Sequence, residues 1–179
     1  LGAAEPGKTT ARPFTSIEEM AMAGTEAVVV CTPHPNHAAA AIAAMNAGMH
    51  VLVEKPMALS LAACARMQAA CEQAGTQMIV GHSHSFNAPV SHARALIESG
   101  QWGRVCMIHA MNFTDFLYRP RRPEELDTAK GGGVVFSQAA HQVDIVRLLA
   151  GGDVRSVYAR TGSWDPSRPT EGAYSAILN

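Results

Sequence analysis

Residues 50–60, HVLVEKPMALS, place an apolar strand directly before Glu54-Lys55-Pro56 and then Ser60, a good helix N-cap. An acid, a base and a proline at the end of a buried strand mark the point where the chain leaves its sheet. The flanking segments repeat the pattern. Upstream, EAVVVCT (26–32) is a valine-rich strand of the kind covered on both faces, and Pro33 and Pro35 break it. Asn36 is placed to cap the alanine-rich helix that Gly48 closes. Downstream, Ser60 opens a helix that stops at Gly75, and TQMIVGH (76–82) is a third strand. Strand, helix, strand, helix, strand with short connections predicts parallel βαβ units and an α/β layer.

Beyond residue 86 the pattern changes. A helix over 89–100 leads to an expected strand over 104–113, then a polar, arginine-rich loop from Thr114 to Lys130 and the run Gly131–Gly133. A helix near 138–150 and strands near 154–162 and 171–178 follow. Strands without intervening helices predict an α+β unit with a mostly antiparallel sheet. The expected division is 1–86 and 87–179. The opening LGAAEP reads as the last residues of a strand and the closing AYSAILN as a strand in progress, so a piece of a larger protein is expected.

The 179 residues carry a net charge of -1 and are 47% hydrophobic. That balance gives no electrostatic reason for a nucleic acid or anionic membrane partner. No apolar run approaches the ~20 residues of a membrane span. Cys31, Cys64, Cys71 and Cys106 stand singly in apolar stretches, which predicts reduced, mostly buried thiols and a cytoplasmic setting.

Ligands of open α/β sheets bind beyond the carboxyl ends of the strands. Three polar clusters fall there: Thr32–His37, Glu54–Pro56 and His82–Phe86. Adjacent parallel strands would align them along one crevice. Taken alone, each cluster is equally a solvated strand end.

The stretch VVVCTPHPNHAAAAIAAMNAGMHVLVEKPMALS (28–60) resembles the nucleotide-binding domain of the Gfo/Idh/MocA oxidoreductases. GGGVVFSQAAHQVDIVRLLAGG (131–152), a glycine run followed by a His-x-x-Asp helix, resembles the family's second signature. The resemblance implies a partial Rossmann-type domain with NAD or NADP as cofactor, followed by part of the family's α+β substrate and oligomerisation domain. It implies Lys55, His141 and Asp144 as catalytic residues. Lys55 would stabilise alkoxide character as hydride leaves, and His141 would take the hydroxyl proton. Asp144 would orient His141 or cap local structure. Glu5, Thr32, Pro33, His37, Glu54 and Lys55 would face the cofactor. Pro56 would hold a bend, with a cis Lys55-Pro56 bond in keeping.

One departure concerns substrate. Many sugar-oxidising members carry an aspartate four residues before the histidine, where Ser137 stands here beside Gln138. His82 and His84 also occupy positions where other members have different polar residues. SQAAHQVDIVRLLAGG and GSWDPSRPTEGAYSA look like the phthalate dihydrodiol dehydrogenases of this family. That likeness implies oxidation of an aromatic-acid cis-dihydrodiol, 4,5-dihydro-4,5-dihydroxyphthalate to 4,5-dihydroxyphthalate, in aromatic degradation. His82, Ser137 and Gln138 would line the substrate, and Arg119, Arg121 and Arg122 would clamp its carboxylates. The arginines read equally as a solvated basic loop. An inositol- or sugar-type dehydrogenase, a non-catalytic fragment or assembly module, and a hydrolase with a histidine metal site remain as alternatives. No metal is expected. The partners implied are a small aromatic dihydrodiol and further copies of the chain.

Overall fold

The computed structural model describes residues 11–179. Glu5 lies outside the described residues. A short helix α1 (Ile17–Met22) precedes strand β1 (Ala27–Val30), helix α2 (His37–Asn46), strand β2 (His50–Glu54), helix α3 (Leu61–Ala74) and strand β3 (Met78–Gly81). The three strands form one parallel sheet in the order β1-β2-β3. The βαβ expectation therefore holds element by element.

Local chemistry explains most boundaries. Ser60 Oγ accepts from the Ala63 amide at 3.2 Å and starts α3, and Gly75, at φ 64°, ends it in the left-handed region. The expected Asn36 cap does not form. Asn36 sits in a tight turn over His34–Asn36 with no side-chain capping bond, because the chain enters α2 already coiled.

One face of the sheet is packed. Val28, Val51 and Met78 align across the strands, as do Val30, Val53 and Val80, and both rows meet Ala41, Ala44, Met45 and Met67 from α2 and α3. The opposite row, Val29–Leu52–Ile79, is 63%, 37% and 61% exposed. The expectation that β1 is covered on both faces is thus corrected. Among the described residues, the apolar contacts of the sheet all lie on one side.

The second half holds α4 (Ala88–Glu98), a single wide π-turn (Val135–Ala139) running into α5 (Ala140–Ala150), and an antiparallel pair, β4 (Val157–Gly162) with β5 (Ala173–Leu178). No strand forms over 104–113. That stretch is largely exposed and makes no ladder bonds, so its apolar alternation lacks a partner to pair with. The loop 114–130 is built from three tight turns. The cysteine expectation is also corrected, since Cys31 and Cys106 are exposed and Cys64 and Cys71 half-buried.

Glycines 131–133 bring this half against the sheet ends. A Cβ on Gly131 would run into the Leu59 side chain, and one on Gly132 would lie 2.5 Å from the Glu125 carbonyl oxygen. Gly133, at φ +81°, lies against Glu171 and Thr170. Glu171 accepts from the Val135 amide at 3.0 Å and from the Thr128 and Thr170 hydroxyls at 2.6 and 2.9 Å. The run is therefore a packed joint.

Candidate active site

The carboxyl ends of the three strands do converge, and the second half closes over them. Lys55 leaves β2 through a cis bond to Pro56, and its Nζ donates to the Ser137 carbonyl at 2.9 Å. Burial pushes the ammonium below its usual range, with Arg121 adding to the effect and Glu54 opposing it. Glu54 turns back to accept from the Lys55 amide at 3.2 Å.

His141 opens α5 at only 6% exposure. Burial lowers its pKa to about 4, with the charges of Lys55, His84 and His82 adding to the shift and Glu54 opposing it. The imidazole is therefore neutral at ordinary pH. Its ring stacks on that of His84, centroids 3.7 Å apart and planes at 14°. Nδ1 of His141 and Nδ1 of His82 are both buried without a hydrogen-bond partner among the described residues. Such an orphaned nitrogen costs on the order of 1–3 kcal/mol unless something meets it. Beside an ammonium, a neutral imidazole with a free nitrogen suits a hydroxyl that is to lose its proton.

The remaining expected residues are placed as follows. Asp144 accepts from the Ser85 hydroxyl and, among the described residues, makes no hydrogen bond to His141, so it ties the 83–86 turn to α5. Ser137 is buried and contributes its carbonyl to Lys55. Gln138 accepts from the Asn112 amide group at 3.4 Å. His37 is 1% exposed, its two ring nitrogens each 2.8 Å from a main-chain carbonyl, Pro56 and Thr32. Its ring is committed to the backbone, binding the end of β1 to the turn after Lys55.

The arginines divide. Arg119 pairs with Asp115 at 2.5 Å, on the exposed rim. Arg121 donates to the Phe116 carbonyl at 3.0 Å and to Glu125 at 3.3 Å, and its guanidinium lies 4.0 Å over the Phe116 ring. Arg122 lines a cavity of about 260 Å³ with Thr32, Pro33, His34, Glu125 and Lys130 at the end of β1.

Two residues lie inside the expected polar clusters but had no role assigned to them. His34 donates from Nδ1 to the Gly131 carbonyl at 2.8 Å and joins the crevice wall to the glycine joint. Burial lowers its pKa, against the opposing pull of that carbonyl. His84 contributes the stacked ring. The close spacing in HSHSF was the available signal, but ring stacking across 57 positions has no trace in a linear pattern.

Thr32 and Pro33 line the cavity at the end of β1, whereas Glu54, Lys55 and His141 lie outside its lining. Among the described residues, no group of three or more His, Cys, Asp or Glu could hold a metal ion, and no helix is long and apolar enough to cross a membrane.

Comparison with known proteins gives a consistent picture. Residues 3–82 match the model for an oxidoreductase family with an NAD-binding Rossmann fold, and 90–179 match the Gfo/Idh/MocA C-terminal domain. The chain is 60% identical over 153 residues to 1-carboxy-3-chloro-3,4-dihydroxycyclohexa-1,5-diene dehydrogenase from Comamonas testosteroni, covering 86% of the chain and 38% of that protein. It is 29% identical to inositol 2-dehydrogenase 2 from Saccharopolyspora erythraea, covering 88% of the chain and 44% of that protein. The crystal structure of the WlbA dehydrogenase from Bordetella pertussis, in complex with NADH and UDP-GlcNAcA, superposes with a TM-score of 0.77 at 35% identity. That match covers 94% of the chain and 49% of the other. The chain thus spans less than half the length of each of these relatives.

Proposed function

The chain belongs to the Gfo/Idh/MocA oxidoreductase family, and from that premise we propose that the protein is a nicotinamide-dependent dehydrogenase of aromatic-acid cis-dihydrodiols. The observation that carries the reading is the electrostatic pairing of Lys55 and His141, a half-buried ammonium acting on a neutral imidazole whose Nδ1 has no partner among the described residues. Bound NAD or NADP supplies the hydride acceptor. His141 takes the proton of the carbinol hydroxyl, and Lys55 donates a hydrogen bond to the same oxygen as alkoxide character grows. The carbonyl product tautomerises to a diphenol. The aromatic ring so formed provides the driving force, so the protein has mainly to orient the diol.

The substrate class is supported by the relative whose name describes a carboxylated cyclohexadiene diol. Arg122 in the cavity wall suits a carboxylate, and we assign the phthalate diol as substrate on the two sequence stretches already described. A sugar or inositol reading is favoured by the inositol dehydrogenase relative, and the replacement of aspartate by Ser137 weighs against it. Cytoplasmic location, a homo-oligomer and the division at residues 86/87 belong to the same proposal.

The test uses the full-length gene product and follows NAD⁺ reduction by absorbance. The substrates are phthalate cis-4,5-dihydrodiol, the chlorinated monocarboxylate diol and myo-inositol. Turnover of the phthalate diol alone supports the assignment. Turnover of the chlorinated diol in preference moves the substrate while keeping the class. Turnover of inositol alone overturns the dihydrodiol reading.

A further inference from the structure

His84 has no place in the chemistry derived above, yet it covers the residue assigned as the base. It lies in the turn Ser83–Phe86, directly after β3, and is itself exposed. Its ring lies parallel to that of His141 at 3.7 Å. The next residue, Ser85, donates to Asp144, three positions after His141 on α5. The turn and the helix are thus joined twice, once by ring on ring and once by hydroxyl on carboxylate. Such a double attachment leaves the His84 ring little freedom to swing away.

We propose that His84 is a positioning residue for His141: its imidazole, locked in place by the Ser85–Asp144 bond, fixes the plane of the His141 ring and closes one face of it to water. The inference rests on the reading of His141 as the base. It also gives Asp144 a role, as the anchor of the covering turn.

The consequence for protonation follows from the surroundings. Lys55 and Glu54 act on His141 from the end of β2, and His82 and His84 act from the turn. Helix α4 also packs on α5, but none of the groups acting on the ring belongs to it. Asp144 shares the helix with His141 and is engaged by Ser85. Removing the His84 ring admits water to the covered face and removes an electrostatic influence that lowers the His141 pKa, and both changes favour the protonated form.

The test is a ¹⁵N-edited histidine NMR titration of the 179-residue chain, comparing the parent with His84→Phe and His84→Ala. Signals of His141 are assigned by their loss in His141→Gln, and amide spectra report the fold. In the parent, His141 is expected to titrate near 4, with its ring protons shifted upfield by the stacked neighbour. His84→Ala should abolish the upfield shift and raise the titration by roughly one pH unit or more. His84→Phe retains an aromatic cover and should keep both the upfield shift and most of the low titration. Identical titrations in the parent and a folded His84→Ala overturn the proposal. If the alanine variant unfolds, the phenylalanine variant decides, and a return to ordinary imidazole behaviour near 6.5 overturns it. The dehydrogenase reading fails on different evidence, since His141→Ala would then turn over diol normally while the NMR coupling persisted.

Discussion

Lys55 directly follows β2, with its ammonium 2.9 Å from the Ser137 carbonyl and close enough to His141 for its charge to lower that residue's pKa. In the proposed mechanism, shortening either side chain removes a group that acts as the proton and hydride leave. Lys55→Ala and His141→Ala in the full-length protein should each reduce kcat by about 10²–10⁴-fold, with an unchanged circular dichroism spectrum. Steady-state kinetics on the preferred diol measures this. The pH profile follows from the same environment. A base held near 4 stays neutral through the weakly acidic range, so the acid limb attributable to His141 should fall near pH 4. An ordinary histidine would lose activity near 6.5. Arg122→Met tests the carboxylate assignment, since it should raise KM for the diacid while leaving kcat close to the parent value.

At the scale of elements, the glycine joint and the α3 cap make separable contributions. Gly132→Ala places a methyl 2.5 Å from the Glu125 carbonyl oxygen, and backbone on both sides leaves little room to yield. We expect it to destabilise by more than the ~1 kcal/mol of a simple glycine effect, read as a lower urea midpoint at unchanged slope. Ser60→Ala removes only the bond to Ala63 and should cost about 1 kcal/mol. These elements also show what a linear reading can reach. The caps at Ser60 and Gly75, the strand ends and the cis Lys55-Pro56 turn were legible because each depends on residues within a few positions. The strand expected over 104–113 was not, because alternation describes a strand's faces without supplying the neighbour it must pair with. Asp144 was legible as a helix residue near His141, whereas its actual partner, Ser85, lies 59 positions away. The three arginines looked alike in sequence. Their separation into a rim pair, a packed structural residue and a cavity residue is set by Asp115, Phe116 and Glu125 in the folded loop.

For the whole molecule, buried histidines tie stability to pH. Burial lowers the pKa of both His141 and His34. The unfolded chain takes up protons on these rings below about 6.5, whereas folded His141 resists until about 4. The unfolded state therefore binds more protons in that window, and stability should fall steadily as pH drops through it and be full above it. Urea unfolding at pH 7 and pH 5 measures the difference, and His34→Gln with His141→Gln should flatten it. The ring of His37 carries another consequence. It lies between the carbonyls of Thr32 and Pro56, 2.8 Å from each, and so rivets the ends of two neighbouring strands into one mechanical unit. Replacing His37 with Ala would cut both links at once, so the segment after β1 and the turn after Lys55 should exchange amide protons faster together, which hydrogen exchange measures.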